Sequence, residues 1–142
     1  MAERLITVTE FEERLAAVCL GGAGSAFPRR HRDRHILYRS IVQTLDVTKN
    51  YSERMLNAEL QQWLFEVGGG MDIDHVTLRR YLVDEGYLVR DAKGSAYTVN
   101  LTGRGHIGFE QTVAAIDSLT VIQAAKSRVA ARKREQSVRS QP

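Results

Sequence analysis

Residues 74–99 read DHVTLRRYLVDEGYLVRDAKGSAYTV, and a change of period inside this stretch decides the fold. Asp74 is a good helix N-cap, Leu78 and Leu82 stand four apart on one helical face, and Gly86 is placed to stop the helix. Straight after that stop the pattern turns to strands. Tyr87-Leu88-Val89-Arg90 and Ser95-Ala96-Tyr97-Thr98-Val99 flank the Gly-containing turn Asp91-Ala92-Lys93-Gly94. Aromatic and β-branched runs around such a turn signal a hairpin.

Two further helices precede this unit. After Phe27-Pro28, Asp33 is the expected cap of a helix whose apolar row is Leu37, Ile41 and Leu45. Ser52 is the expected cap of the next, where Leu56, Leu60, Trp63, Leu64 and Val67 line one face until Gly68-Gly69-Gly70 ends it. Helix, helix, helix, hairpin is the order of a winged helix. The expected fold is therefore mainly α with a small β-hairpin, a winged helix-turn-helix core flanked by N- and C-terminal helices.

Farther out, Val8, Phe11, Leu15 and Val18 recur at helical spacing, and Thr9 with Glu12 reads as a capping box. Gly21-Gly22-Ala23-Gly24-Ser25 then makes a link. At the other end the chain reads as helical from about Phe109, with Val113, Ile116 and Leu119 on one face. The expected organisation is a helical arm and link at 1–24, a winged-helix domain at 27–102, a C-terminal helix at 106–134 and a basic disordered tail at 135–142. The arm is expected to pack on the main body or on a second copy. A terminal helix that outlasts a small core needs another surface to cover it, so a homodimer through the terminal helices is expected.

The chain has 142 residues, 43% of them hydrophobic and 26% charged, with a net charge of +3. That composition excludes wholesale disorder and collagen-like structure, and the length can bury one core. No apolar run approaches the roughly 18 residues of a membrane span, and Met1-Ala2-Glu3-Arg4-Leu5 has no secretory pattern. The lone Cys19 forms no internal disulfide, which fits a reducing cytoplasm. A cytoplasmic protein without a membrane partner is expected.

The positive charge is concentrated in two places. Arg29, Arg30, Arg32, Arg34 and Arg39 stand against Asp33, and Lys126, Arg128, Arg132, Lys133, Arg134 and Arg139 stand against Glu135. Clusters of this kind suit an anionic partner, although charged tails and helix faces also serve solubility alone.

The stretch from Phe27 to Val99 resembles the uncharacterised bacterial family called domain of unknown function 2087. The residues that carry the resemblance are Phe27-Pro28, Tyr51-Ser52-Glu53, Asn57, Leu60, Asp74, Leu78-Arg79-Arg80, Leu82-Val83, Gly86, Arg90, Gly94 and Tyr97. The run from Leu78 to Tyr97 is the most specific. The resemblance implies a winged-helix fold and a transcription-related setting, because such domains are often fused to helix-turn-helix regulators. It implies no reaction. No second recognisable DNA-binding domain accompanies it in this sequence.

On the helix after Asp74, Leu78 and Leu82 define the buried face, so Thr77, Arg80 and Asp84 point away from it. A helix in a DNA groove needs donors for base edges and cations for phosphates. Asp84, four residues after Arg80, is expected to pair with it, and Asp72, Asp74 and Glu85 add further negative charge that repels phosphates and counts against standard major-groove docking. Arg79, nearer the flank, reads as a structural residue folded against an acid such as Glu53 or Asp74. Arg90 and Lys93 lie at the base and tip of the hairpin. The expected nucleic-acid contacts are Arg29, Arg30, Arg32, Arg34, Thr77, Arg80, Arg90 and Lys93.

Catalytic patterns are absent from the sequence. His31 and His35 share a helical face, but Arg32-Asp33-Arg34 lies between them without the Glu of a metalloprotease, and its charge opposes a cation. Gly68-Gly69-Gly70 follows a helix and lacks the Lys-Ser/Thr of a phosphate loop. Cys19 reads as a buried inert thiol, and Trp63 and Tyr97 read as core. Neither enzymatic activity, a metal nor a cofactor is expected. Two functions remain open: a nucleic-acid-binding regulator, or an adaptor whose body and basic tail dock on an acidic or nucleoprotein partner.

Overall fold

The computed structural model describes residues 4–22 and 24–140. Its elements follow in the order α1 (Val8–Cys19), α2 (His31–Val42), α3 (Glu53–Glu66), α4 (His75–Asp84), β1 (Leu88–Arg90), β2 (Tyr97–Val99), a 3-10 turn (Gln111–Ala115) and α5 (Ser118–Ser140). The chain is mainly helical with one small antiparallel hairpin, as its periodicity predicts. Among the described residues no helix is long and apolar enough to cross a membrane.

Two caps are the expected ones. Ser52 accepts the Met55 N–H at the start of α3, and Asp74 accepts the Thr77 N–H at the start of α4. Gly86 ends α4 in the left-handed region, φ +80°. Its N–H donates to the Val83 carbonyl while Tyr87 N–H donates to Leu82, the double closure that lets a helix stop abruptly. The chain then enters β1 with no loop, and Leu88, Val89 and Arg90 pair with Val99, Thr98 and Tyr97. Tyr51 exchanges two 2.8 Å backbone hydrogen bonds with Tyr97, so the hairpin is pinned to the entrance of α3.

Two other caps differ from expectation, for a tertiary reason in each case. Thr7, not Thr9, caps α1. Ile6 is held extended by Gly108 and Glu110, and the Glu110 carboxylate accepts the Val8 N–H at 2.9 Å, so the helix begins two residues earlier than the local box implies. Asp33 does not cap α2, whose N-cap is Arg30 without a side-chain hydrogen bond. Asp33 lies inside the first turn with both carboxylate oxygens on the Arg14 guanidinium at 2.9 Å. A bidentate charged pair outweighs a local cap.

The core is continuous. Leu37, Ile41, Leu56, Leu60, Leu78 and Leu82 share it with Phe11 and Leu15 of α1, all fully buried. The arm therefore packs on the main body. The C-terminal helix also differs from expectation. Phe109 bridges Ile6, residues 111–115 form a 3-10 turn, and Ile116 is extended, so α5 starts only at Ser118. Asp117 supplies its cap, accepting from Leu119 N–H and the Thr120 hydroxyl. The expected tail is helical through Ser140, and its last two residues, 141 and 142, lie outside the described ones.

Candidate nucleic-acid interface

Three of the eight expected contact residues share one cleft. Thr77 and Arg80 of α4 and Arg90 of β1 line one cleft of about 400 Å³, together with Val76, Asp84 and Tyr97. Three features of the sequence place them there. Asp74 sets the phase of α4, Gly86 sets the angle at which β1 leaves it, and the Tyr51–Tyr97 bridge fixes the hairpin.

Each cation of the cleft has its own setting. Arg79 donates to Glu53 at 3.0 Å and also to the Asn57 side chain, so it braces α4 against α3, the structural role expected of it. Arg80 is exposed, its guanidinium 5.9 Å from the Tyr81 ring. Among the described residues it forms no ion pair with Asp84, contrary to the expected intrahelical pairing, and an exposed pair of that kind gains little in water. Arg90 lies 5.9 Å from the Tyr97 ring and reaches the Gly94 carbonyl at 3.4 Å. Lys93 is exposed at the hairpin tip. Thr77 is half-buried and also borders a second hollow of about 370 Å³, lined by Phe27, Tyr81 and the acids Asp72 and Asp74.

The arginines before α2 divide. Arg29 and Arg30 are exposed. Arg32 is held by Glu10 at 2.6 Å and by the carbonyls of Arg4 and Leu5, and this hydrogen bond holds the Glu10 carboxyl below its usual range. Arg34 lies 5.6 Å from the Phe27 ring and 5.3 Å from the Tyr81 ring. The structure thus commits Arg32 and Arg34 to intramolecular contacts. Sequence reasoning treated the run as one patch because nothing local distinguishes an arginine that turns inward. Arg39 turns inward too: it is 7% exposed and donates to Leu101 and Gln43, and its burial pulls its pKa down.

A polar layer in the core was not legible in the sequence. His35 is buried, with Nδ1 2.7 Å from the Tyr87 hydroxyl and Nε2 3.7 Å from a Glu85 carboxylate oxygen. Burial, reinforced by neighbouring His31, pushes its pKa down to about 4. Nothing in the spacing of positions 35, 85 and 87 announces this meeting. Burial likewise pushes the Cys19 thiol up to about 12. Among the described residues no group of three or more His, Cys, Asp or Glu side chains could hold a metal ion. Trp63 and Tyr97 are buried, so neither offers an open face for stacking.

A family model described as "Uncharacterized protein conserved in bacteria (DUF2087)" matches residues 25–99, just over half of the 142-residue chain. The chain belongs to this family. The matched region of this DUF2087 protein runs from the link before α2 to the end of β2, so it contains the whole cleft and leaves out α1 and α5. No curated protein and no solved structure matches the chain.

Proposed function

We propose that this DUF2087 protein is a winged-helix protein that binds nucleic acid in a transcription-related role in the cytoplasm, without catalysis, as a homodimer through its terminal helices. The observation that carries the reading is the convergence of Thr77, Arg80 and Arg90 on one cleft between α4 and the hairpin. In a winged helix these are the helix and the wing that meet the duplex. The exposed cations Arg29, Arg30 and Lys93 add phosphate contacts outside the cleft. Phosphate contact by flexible cations gives affinity with little sequence selection.

The test is a titration of the full chain against a labelled random-sequence duplex and an equal-length RNA from low to physiological salt. Affinity for one or both should fall log-linearly with salt. Arg80→Ala and Arg90→Ala should each weaken binding and lower the slope by about 1, whereas Arg32→Ala should leave the slope unchanged. No binding at low salt would overturn the reading. It would shift the assignment to an adaptor, which is favoured by the acids Asp72, Asp74 and Asp84 around α4 and by the exposed basic half of α5.

A further inference from the structure

Among the described residues the last buried one of α5 is Ala125, and the helix continues to Ser140. At 1.5 Å per residue it runs about 22 Å past its own core. Ala124, Ala131 and Val138 are seven residues apart, so they share a face with a drift of only about 20° per step. Val138 is 71% exposed on that face. Nearer the body, the same face borders a hollow of about 190 Å³ between α1 and α5, lined by Val8, Val121 and Ala124 and edged by Glu12, Glu13 and Arg128. Glu12 and Glu13 are exposed, and no ion pair involves them among the described residues.

We propose that this face of α5 is the interface of a homodimer in which two α5 helices pack antiparallel, Val138 of each copy filling the α1–α5 hollow of the other. With Ala131 opposite its own counterpart, Val138 falls opposite Ala124. Arg128, Glu135 and Arg139 share one flank of the helix, since they are seven and four residues apart, and antiparallel packing sets that flank against itself. Glu135, the one acid in the distal half, then faces Arg128 of the other copy. Arg139 reaches the edge where Glu12 and Glu13 form no ion pair among the described residues. Parallel packing would instead align like charges along the basic half. The assignment gives the proposed dimer a definite register and uses no residue of the α4–hairpin cleft, so it stands or falls apart from nucleic-acid binding.

Sedimentation of the full chain should show a dimer in the micromolar range. Glu135→Arg and Arg128→Glu should each weaken it by about tenfold, since each change spoils two symmetry-related pairs, and the double exchange should restore it. Register is read by oxidation of Ala124→Cys and Val138→Cys chains, with native Cys19 buried. A disulfide needs Cα atoms within about 7 Å. The two variants should therefore cross-link when mixed and fail to cross-link alone, where like positions would be about 21 Å apart. A wild-type monomer throughout that range, a double exchange no better than the singles, or cross-linking of each variant with itself would overturn the proposal.

Discussion

His35 and Tyr87 are separated by most of the family region, yet their side chains form a 2.7 Å hydrogen bond inside the core. The surroundings of His35 explain its titration. Burial disfavours the imidazolium first, His31, His106 and Arg34 add to that effect, and only Glu85 opposes it. The folded-state pKa of about 4 lies below the unfolded value of about 6.5. Between these values the unfolded chain binds the extra proton, so stability falls as pH drops through that window. Urea midpoints should therefore fall between pH 7 and pH 4.5, and His35→Gln should flatten the drop relative to wild type. An equal drop in both proteins would place the acid sensitivity elsewhere. The arginines teach the complementary lesson. Arg29 and Arg30 stay exposed while Arg32 and Arg34, a few residues on, are held by Glu10 and by two aromatic rings.

Among the elements, α4 and the hairpin were the most legible, because their signals are local. Asp74, Leu78, Leu82 and Gly86 define a start, a face and a stop within one stretch, and the alternation after Gly86 has a different period. Gly86 is the hinge of that arrangement. Its φ is +80°, and a Cβ there would lie 2.8 Å from Arg104 Cγ and 3.2 Å from the Arg104 backbone nitrogen. Gly86→Ala should destabilise the protein by about 1–3 kcal/mol, measured by denaturant titration. It should also weaken the proposed nucleic-acid binding more than the stability loss alone explains, since it re-aims β1 and Arg90 relative to Arg80. A substitution without effect on either measurement would contradict the hinge role. The starts of α1, α2 and α5 were less legible, since Glu110, Arg14 and the Phe109–Ile6 bridge decide them from far along the chain.

At the scale of the whole molecule, α1 lies outside the family region but inside its core. Phe11 and Leu15 are fully buried, and burying such side chains contributes about 1.5–3 kcal/mol each. The Arg14–Asp33 and Arg32–Glu10 pairs add charged hydrogen bonds from the arm to α2. A chain beginning at residue 25 should consequently melt well below the full chain by circular dichroism, and an unchanged melting temperature would show the arm to be dispensable. By itself the sequence determined the element order, the Ser52 and Asp74 caps, the stop at Gly86 and the hairpin. Those depend on period and on residues a few positions apart, which any local reading captures. Only the tertiary structure decided which arginines stay in solvent, that Asp33 binds Arg14 instead of capping its helix, that His35 meets Tyr87, and that Thr77, Arg80 and Arg90 share a cleft. All of these depend on how the elements pack, and burial and ion-pair geometry exist only once the chain has closed on itself.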